Sequence, residues 1–335
     1  MVKTGEMRTR RSPTWPVVLA VVLLVVACSS TATDSSPTAA DPPSSTTTVT
    51  TAPPVESKEL PGTTLTGDVA FLGPIRTVPV GNLTLAFRQF GDGPDLLLIA
   101  GQASSMSLWP ATMLAALAEH HRVTMYDNRE LGSTVPTTGG FTLPDLADDA
   151  ARLIAALGLD HPAVFGWSTG GEIGLLLGVR HPDVLSALII TGATPGGPKS
   201  VLPPADIIAL FAEANPDTGK LLDVLFSPSG AAAQAAFITD FVKVPQQAVT
   251  PRAAALYDAA EQEYWRVPEP DLAAIKVPVL VMNGSDDYAV PPANATYIAQ
   301  RIGANATLQL DPGGRHAWFI EHPAAFATAL TSFVG

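Results

Sequence analysis

The chain has 335 residues, 47% of them hydrophobic, and a formal net charge of −12 at pH 7. That much apolar side chain can bury a sizeable core, which excludes a disordered or fibrous protein, and the length fits one large domain with attachments. Residues 28–335 carry 15 basic and 30 acidic side chains and no basic patch, so nucleic acid is excluded as a partner.

Residues 1–27 read as a signal peptide. Arg8, Arg10 and Arg11 precede the apolar run Val17 to Ala27, which is too short to span a bilayer but has the length of a signal core. The run ends Val25-Val26-Ala27-Cys28, which resembles a bacterial lipobox and implies lipidation of Cys28, the sole cysteine. The expected location is therefore the outer face of the cell membrane. Ser-Pro-Thr after Arg10-Arg11 is a poor match to twin-arginine export. Residues 28–74 are rich in Ser, Thr, Pro and Ala, and are expected to form a tether too polar to offset its own ordering entropy. Asn82, Asn294 and Asn305 begin sequons, which are chance matches behind a lipobox.

From residue 75 onward short β-rich runs alternate with helical patterns, which predicts an α/β fold with a mostly parallel sheet flanked by helices. An early antiparallel strand is expected at 83–91, and buried strands at 95–101, 122–127, 163–168, 187–192, 279–284 and 306–311. Leu146, Ala150, Leu153, Ile154 and Leu157 recur at helical spacing, with Gly158 past the end. Between about 195 and 271 the rhythm gives way to helical pieces broken by Pro and Gly, which predicts a helical cap inserted over the sheet.

Gly166-Trp167-Ser168-Thr169-Gly170 follows a strand and opens a helix, the setting in which a G-x-S-x-G turn exposes a nucleophile. A serine hydroxyl needs a base to take its proton, and the base needs a carboxylate to hold its tautomer. Of six histidines, His316 lies in a glycine-rich loop after the last predicted strand, where a parallel sheet presents its active edge. His120, His121, His161, His181 and His322 read as surface or capping residues. Asp286 and Asp287 follow the strand at 279–284; Asp-x-x-Val-Pro favours Asp287, with Asp311 a weaker substitute.

Taken together these motifs resemble the α/β-hydrolase fold. "YDNRELGST" (126–134) is similar to that family's Asp-x-Arg-Gly-x-Gly-x-Ser loop, and the segments around Ser168, Asp287 and His316 resemble its elbow, acid and histidine loops. The resemblance implies a catalytic triad of Ser168, Asp287 and His316, with an oxyanion hole from the backbone amides of Gln102 and Thr169. Two departures stand out: Ala100-Gly101-Gln102 replaces the usual His-Gly, and Glu130 replaces a glycine in a loop expected to be remote from the chemistry.

The sequence thus points to a lipid-anchored serine hydrolase acting on a small-molecule ester or amide, without metal or organic cofactor. Trp167 and Trp109 are expected at the substrate pocket, with Phe211, Phe237, Tyr257 and Trp265 as further wall or core residues. Perhydrolysis of the haloperoxidase kind and proline-specific peptide cleavage are open within the same fold. A noncatalytic ligand-binding or sensing lipoprotein is the rival from another class.

Overall fold

The computed structural model describes residues 54–207 and 217–335. The signal peptide, Cys28, most of the tether and Phe211 lie outside the described residues. Among the described residues nine strands form one sheet: β1 (Lys58–Glu59), β2 (Arg76–Val80), β3 (Leu83–Phe90), β4 (Asp95–Ile99), β5 (Arg122–Asp127), β6 (Ala163–Trp167), β7 (Ala187–Thr191), β8 (Val279–Gly284) and β9 (Ala306–Asp311). Their order is β1-β2-β3-β5-β4-β6-β7-β8-β9. β1, β2 and β3 pair antiparallel, as do β3 and β5, and every pairing from β5 to β9 is parallel.

Residues 58–74, assigned by composition to the tether, belong instead to the folded unit. β1 pairs with β2, and a 3-10 turn, Gly67–Leu72, buries Val69 and Leu72. Arg88 carries this segment: its guanidinium donates to the carbonyls of Gly73 and Thr63. A few apolar side chains plus one buried cation are enough to dock a segment whose composition is otherwise polar.

The helices are α1 (Ala111–Ala118), α2 (Leu143–Leu157), α3 (Thr169–Arg180), α4 (Thr218–Leu225), α5 (Ala231–Phe241), α6 (Pro251–Arg266), α7 (Ala293–Ile302), α8 (Trp318–Glu321) and α9 (Pro323–Val334). α2 starts where the sequence demands: the Thr142 hydroxyl accepts from Asp145 N–H, the Asp145 carboxylate accepts from Thr142 N–H, and Gly158 closes the helix at φ 61°. α4, α5 and α6 form the cap, inserted between β7 and β8.

Strand alternation divides the core into two layers. Leu97, Val164, Leu188, Ile190, Val279 and Val281 face one side, beneath α2, α3 and α7. Leu96, Leu98, Phe165, Ile189, Leu280 and Met282 face the other, beneath α1 and α9. Both faces of the central strands are therefore dry, which is why they read as unbroken apolar runs. β9 departs from the expectation of a buried strand. It is the sheet's edge, and Leu308 and Leu310 are each 39% exposed. Among the described residues no helix is long and apolar enough to cross a membrane.

Candidate active site

The parallel strands all deliver their carboxyl ends to one rim of the sheet, and the chemistry-bearing residues gather there. β6 ends at Trp167 and α3 begins at Thr169, so Ser168 must turn the chain alone, at φ 58° and ψ −126°. An L-residue held at such a positive φ is strained, and here neighbours over-determine it. Its N–H donates to Thr191 O at 2.9 Å, and a Cβ on Gly166 or Gly170 would collide with the Gly170 or Ile99 carbonyl respectively. The serine side chain stays partly open to solvent. The first amides of α3 have no intrahelical acceptor, so they and the helix dipole favour negative charge beside Ser168.

β8 delivers the acid. Asp287 is buried; its Oδ1 accepts from Val290 N–H at 2.8 Å and its Oδ2 accepts from His316 Nδ1 at 2.8 Å. Asp286 faces solvent, where its carboxylate accepts from the Ser285 hydroxyl, and Asp311 stands at the end of the exposed edge strand. The bond from Nδ1 leaves Nε2 as the nitrogen able to take a proton. A Cβ on Gly192 would lie 2.7 Å from the His316 ring, so this glycine, itself at φ 61°, leaves the space the imidazole occupies. Asn283 pins the same corner by accepting from Gly192 N–H at 2.8 Å and donating to Val290 O at 3.0 Å.

His316 is brought to the elbow from two sides. Its ring centroid lies 5.4 Å from that of Trp167, the residue before Ser168, and its carbonyl accepts from Trp167 Nε1 at 3.1 Å. Gly192, over which the imidazole sits, directly follows Thr191, whose carbonyl binds Ser168 N–H. The Ser168 hydroxyl makes no hydrogen bond to His316 among the described residues. The loop after β4 passes over the serine: a Cβ on Gly101 would lie 3.3 Å from Ser168 Cβ. Gln102 is the next residue in that loop. The loop's turn is fixed by Ser104, whose N–H donates to Gly101 O and whose hydroxyl donates to Gln102 O at 2.9 Å.

Of the two tryptophans expected at a pocket wall, only Trp167 touches the site, and it acts on the His316 backbone. Trp109 is 2% exposed; its ring packs 5.6 Å from Phe165, 6.2 Å from Trp167 and 6.3 Å from Phe319, which leaves it no open face. It supports Trp167 from below. Phe237 and Tyr257 are likewise buried packing residues, whereas Trp265 donates to the Thr194 hydroxyl. His121, expected at the surface or as a helix cap, is instead buried, with Nε2 against the Thr331 hydroxyl at 3.1 Å, and burial lowers its pKa.

The cap holds the histidine loop directly, a contact with no motif to announce it. His316 N–H and Ala317 N–H donate to the Val224 and Leu225 carbonyls at the end of α4. Arg315 pairs with Asp223 at 2.5 Å while its guanidinium lies 5.0 Å over the Tyr288 ring. Glu130 stands at φ 65°, where a glycine would be unstrained. Its carboxylate accepts from Thr137 N–H at 2.6 Å and from Arg252 Nε of the cap at 3.3 Å. Its place in the loop is thus a tie between core and cap.

A nine-stranded mixed sheet with an inserted helical cap, a strained serine at the elbow and an Asp–His pair beyond later strands define a hydrolase-type α/β architecture. The alpha/beta hydrolase family model matches residues 96–329, and the chain belongs to that family. A RutD protein of Caulobacter sp. strain K31, named as a carbamate hydrolase, is 31% identical over 254 residues, 72% of this chain and 91% of that one. Among solved structures, an α/β-hydrolase-fold protein from Chitinophaga pinensis superposes with a TM-score of 0.70 at 22% identity, covering 80% of this chain and 99% of its own. The esterase RhEst1 from Rhodococcus sp. ECU1013 gives a TM-score of 0.65 at 24% identity, covering 78% and 98%.

Proposed function

We propose that the protein is a serine hydrolase that cleaves carboxylic esters through an acyl-enzyme, with Ser168 as nucleophile, His316 as base and Asp287 as its orienting acid. The observation that carries this reading is the 2.8 Å bond from His316 Nδ1 to Asp287 at the strand ends that also hold the strained Ser168. His316 Nε2 takes the hydroxyl proton as Ser168 Oγ bonds to the carbonyl carbon, and Asp287 stabilises the imidazolium. The amides of Gln102 and Thr169 hold the oxyanion. Collapse breaks the ester C–O bond, and the leaving alcohol takes the proton from His316. Water, deprotonated by the same nitrogen, then attacks the acyl carbon and releases the acid with Ser168 restored.

A serine-reactive phosphonate is expected to label Ser168 and to block hydrolysis of short-chain activated esters, with neither seen in Ser168→Ala. Unchanged turnover in that variant would remove the serine mechanism. The RutD relative's name makes carbamates the first amide-like substrates to set beside esters in the same assay.

The location proposed is the outer face of the cell membrane, held by a lipid on Cys28; Val25-Val26-Ala27-Cys28 supports it. Cells fed an alkyne fatty acid are expected to incorporate it into the wild-type chain and not into Cys28→Ala. Equal labelling of both would end the lipoprotein reading.

A further inference from the structure

Two buried carboxyl groups beside the elbow have no part in the chemistry proposed above. Glu172 lies one turn into α3 and Glu261 projects from cap helix α6; they are 2% and 7% exposed. Each accepts a hydrogen bond from a threonine hydroxyl near Ser168. Thr169, the residue after the serine, donates its Oγ1 hydrogen to Glu261, and Thr194, in the loop beyond β7, donates to Glu172 at 2.5 Å. Trp265, four residues after Glu261 on the same face of α6, donates to the Thr194 hydroxyl at 3.0 Å. The cap helix therefore grips both shoulders of the elbow.

We propose that Glu261 is a positioning residue: by accepting the Thr169 hydroxyl from the cap, it fixes the amide that follows Ser168 and makes oxyanion stabilisation depend on a seated α6. This rests on the assignment of Ser168 and of the Thr169 amide. Thr169 is β-branched and opens α3, so holding its hydroxyl restrains χ1 and with it the orientation of the peptide that carries the amide. No other polar contact of that hydroxyl exists among the described residues.

The arrangement also sets which form of Glu261 does this. Burial comes first and raises its pKa well above the ordinary carboxylate range; the charged groups acting on it, Glu172 and Asp258, are both acids and raise it further, while the Thr169 bond opposes them. Burial also raises Tyr264, on the same helix, and the nearby Glu172 and Glu269 raise it further. Among the described residues no cation contributes to the balance on either glutamate. Burial and the two neighbouring acids thus favour the neutral form of Glu261 beside Thr169. Ionisation of Glu261 beside Glu172 would place two negative charges between α3 and α6, and the cap is then expected to loosen.

The test is hydrolysis of p-nitrophenyl acetate and phosphonylation of Ser168 by the full chain between pH 5 and 9.5, for wild type, Glu261→Ala and Glu261→Gln. Glu261→Ala is expected to lower kcat and the phosphonylation rate by about 10- to 100-fold, with KM within about twofold, as misplacement of a transition-state contact does. Glu261→Gln, a neutral isostere, is expected to restore most of kcat and to abolish the alkaline decline of the wild type. Hydrogen exchange along α6 supplies a readout independent of turnover: it should accelerate at alkaline pH in the wild type and not in Glu261→Gln. A wild-type kcat in Glu261→Ala, a Gln variant as slow as the Ala variant, or identical α6 exchange in wild type and Gln variant would each overturn the proposal. If the wild type neither turns over the ester nor labels at Ser168, it is the nucleophile assignment that fails, and the exchange comparison alone then decides the role of Glu261 in seating the cap.

Discussion

Asp287→Asn is expected to lower kcat on an activated ester by about 10⁴-fold at pH 7 while leaving the fold intact. The carboxylate at this position accepts from His316 Nδ1 at 2.8 Å through one oxygen and from Val290 N–H at 2.8 Å through the other. An asparagine keeps one acceptor, and the Val290 amide takes it, since that backbone donor has no alternative in the turn. The amide NH2 then faces His316 and forces the tautomer with hydrogen on Nε2. That nitrogen can no longer accept from Ser168, so the loss falls on chemistry rather than on binding. Steady-state kinetics with a thermal melt for each variant separate the two. Asp286→Asn serves as the comparison, because the Asp286 carboxylate faces solvent and accepts from the Ser285 hydroxyl. If Asp287→Asn retains more than a tenth of wild-type kcat, Asp287 is not the orienting acid.

What could be read from the sequence follows from how local each constraint is. The elbow is a contiguous demand: small residues at 166 and 170 because a Cβ there meets backbone, a strand before and a helix after. The central strands are equally legible, since burial on both faces leaves an unbroken apolar run such as Leu96-Leu97-Leu98-Ile99. β9 shows the limit of that signal. Ala-Thr-Leu-Gln-Leu-Asp has strand character, but nothing within six residues tells an edge from a centre, and the pairing order places it at the edge.

The contacts that join cap and core were not legible, because each pairs residues far apart in the chain. Glu261 meets Thr169 across 92 positions and Arg252 meets Glu130 across 122. Neither partner belongs to a motif that requires the other. Glu130 carried the one usable hint, a charged residue where the resembling loop has glycine, yet only the fold shows that the cap supplies Arg252 to hold it. Trp109 misled for a related reason: an aromatic near an active-site loop has the same sequence appearance whether it lines a pocket or, as here, buttresses Trp167 against Phe165 and Phe319.

Glu172→Gln is expected to reshape the pH dependence of stability. Burial pushes the Glu172 carboxyl from an ordinary value of 4.5 up to about 7 in the folded protein, against the opposing bonds from Thr194. The unfolded chain releases this proton near pH 4.5, whereas the folded chain keeps it until about pH 7. Between those values the folded state binds more protons than the unfolded state, so stability is complete below the lower value and drains away as pH rises to the upper one. Over that window the loss from this one group is about 3 kcal/mol, given 1.36 kcal/mol per pH unit. Asp127, which burial pushes up to about 6, and Glu261, which burial raises well above the carboxylate range, work in the same direction and persist in the variant, so a slope should survive. Glu130 and Asp148 do not interfere: bonds from Thr137 and Arg252 to the one, and from Arg180 and His181 to the other, outweigh burial and lower both, so their effect is confined to more acidic pH. Glutamine is neutral in both states and retains an oxygen for the Thr194 hydroxyl. Urea unfolding at pH 5 and pH 8 should therefore show a smaller fall in stability for Glu172→Gln than for the wild type, by about 2–3 kcal/mol. Equal falls would mean that Glu172 is ionised in the folded protein at neutral pH, and that the junction between α3 and the cap tolerates a buried negative charge.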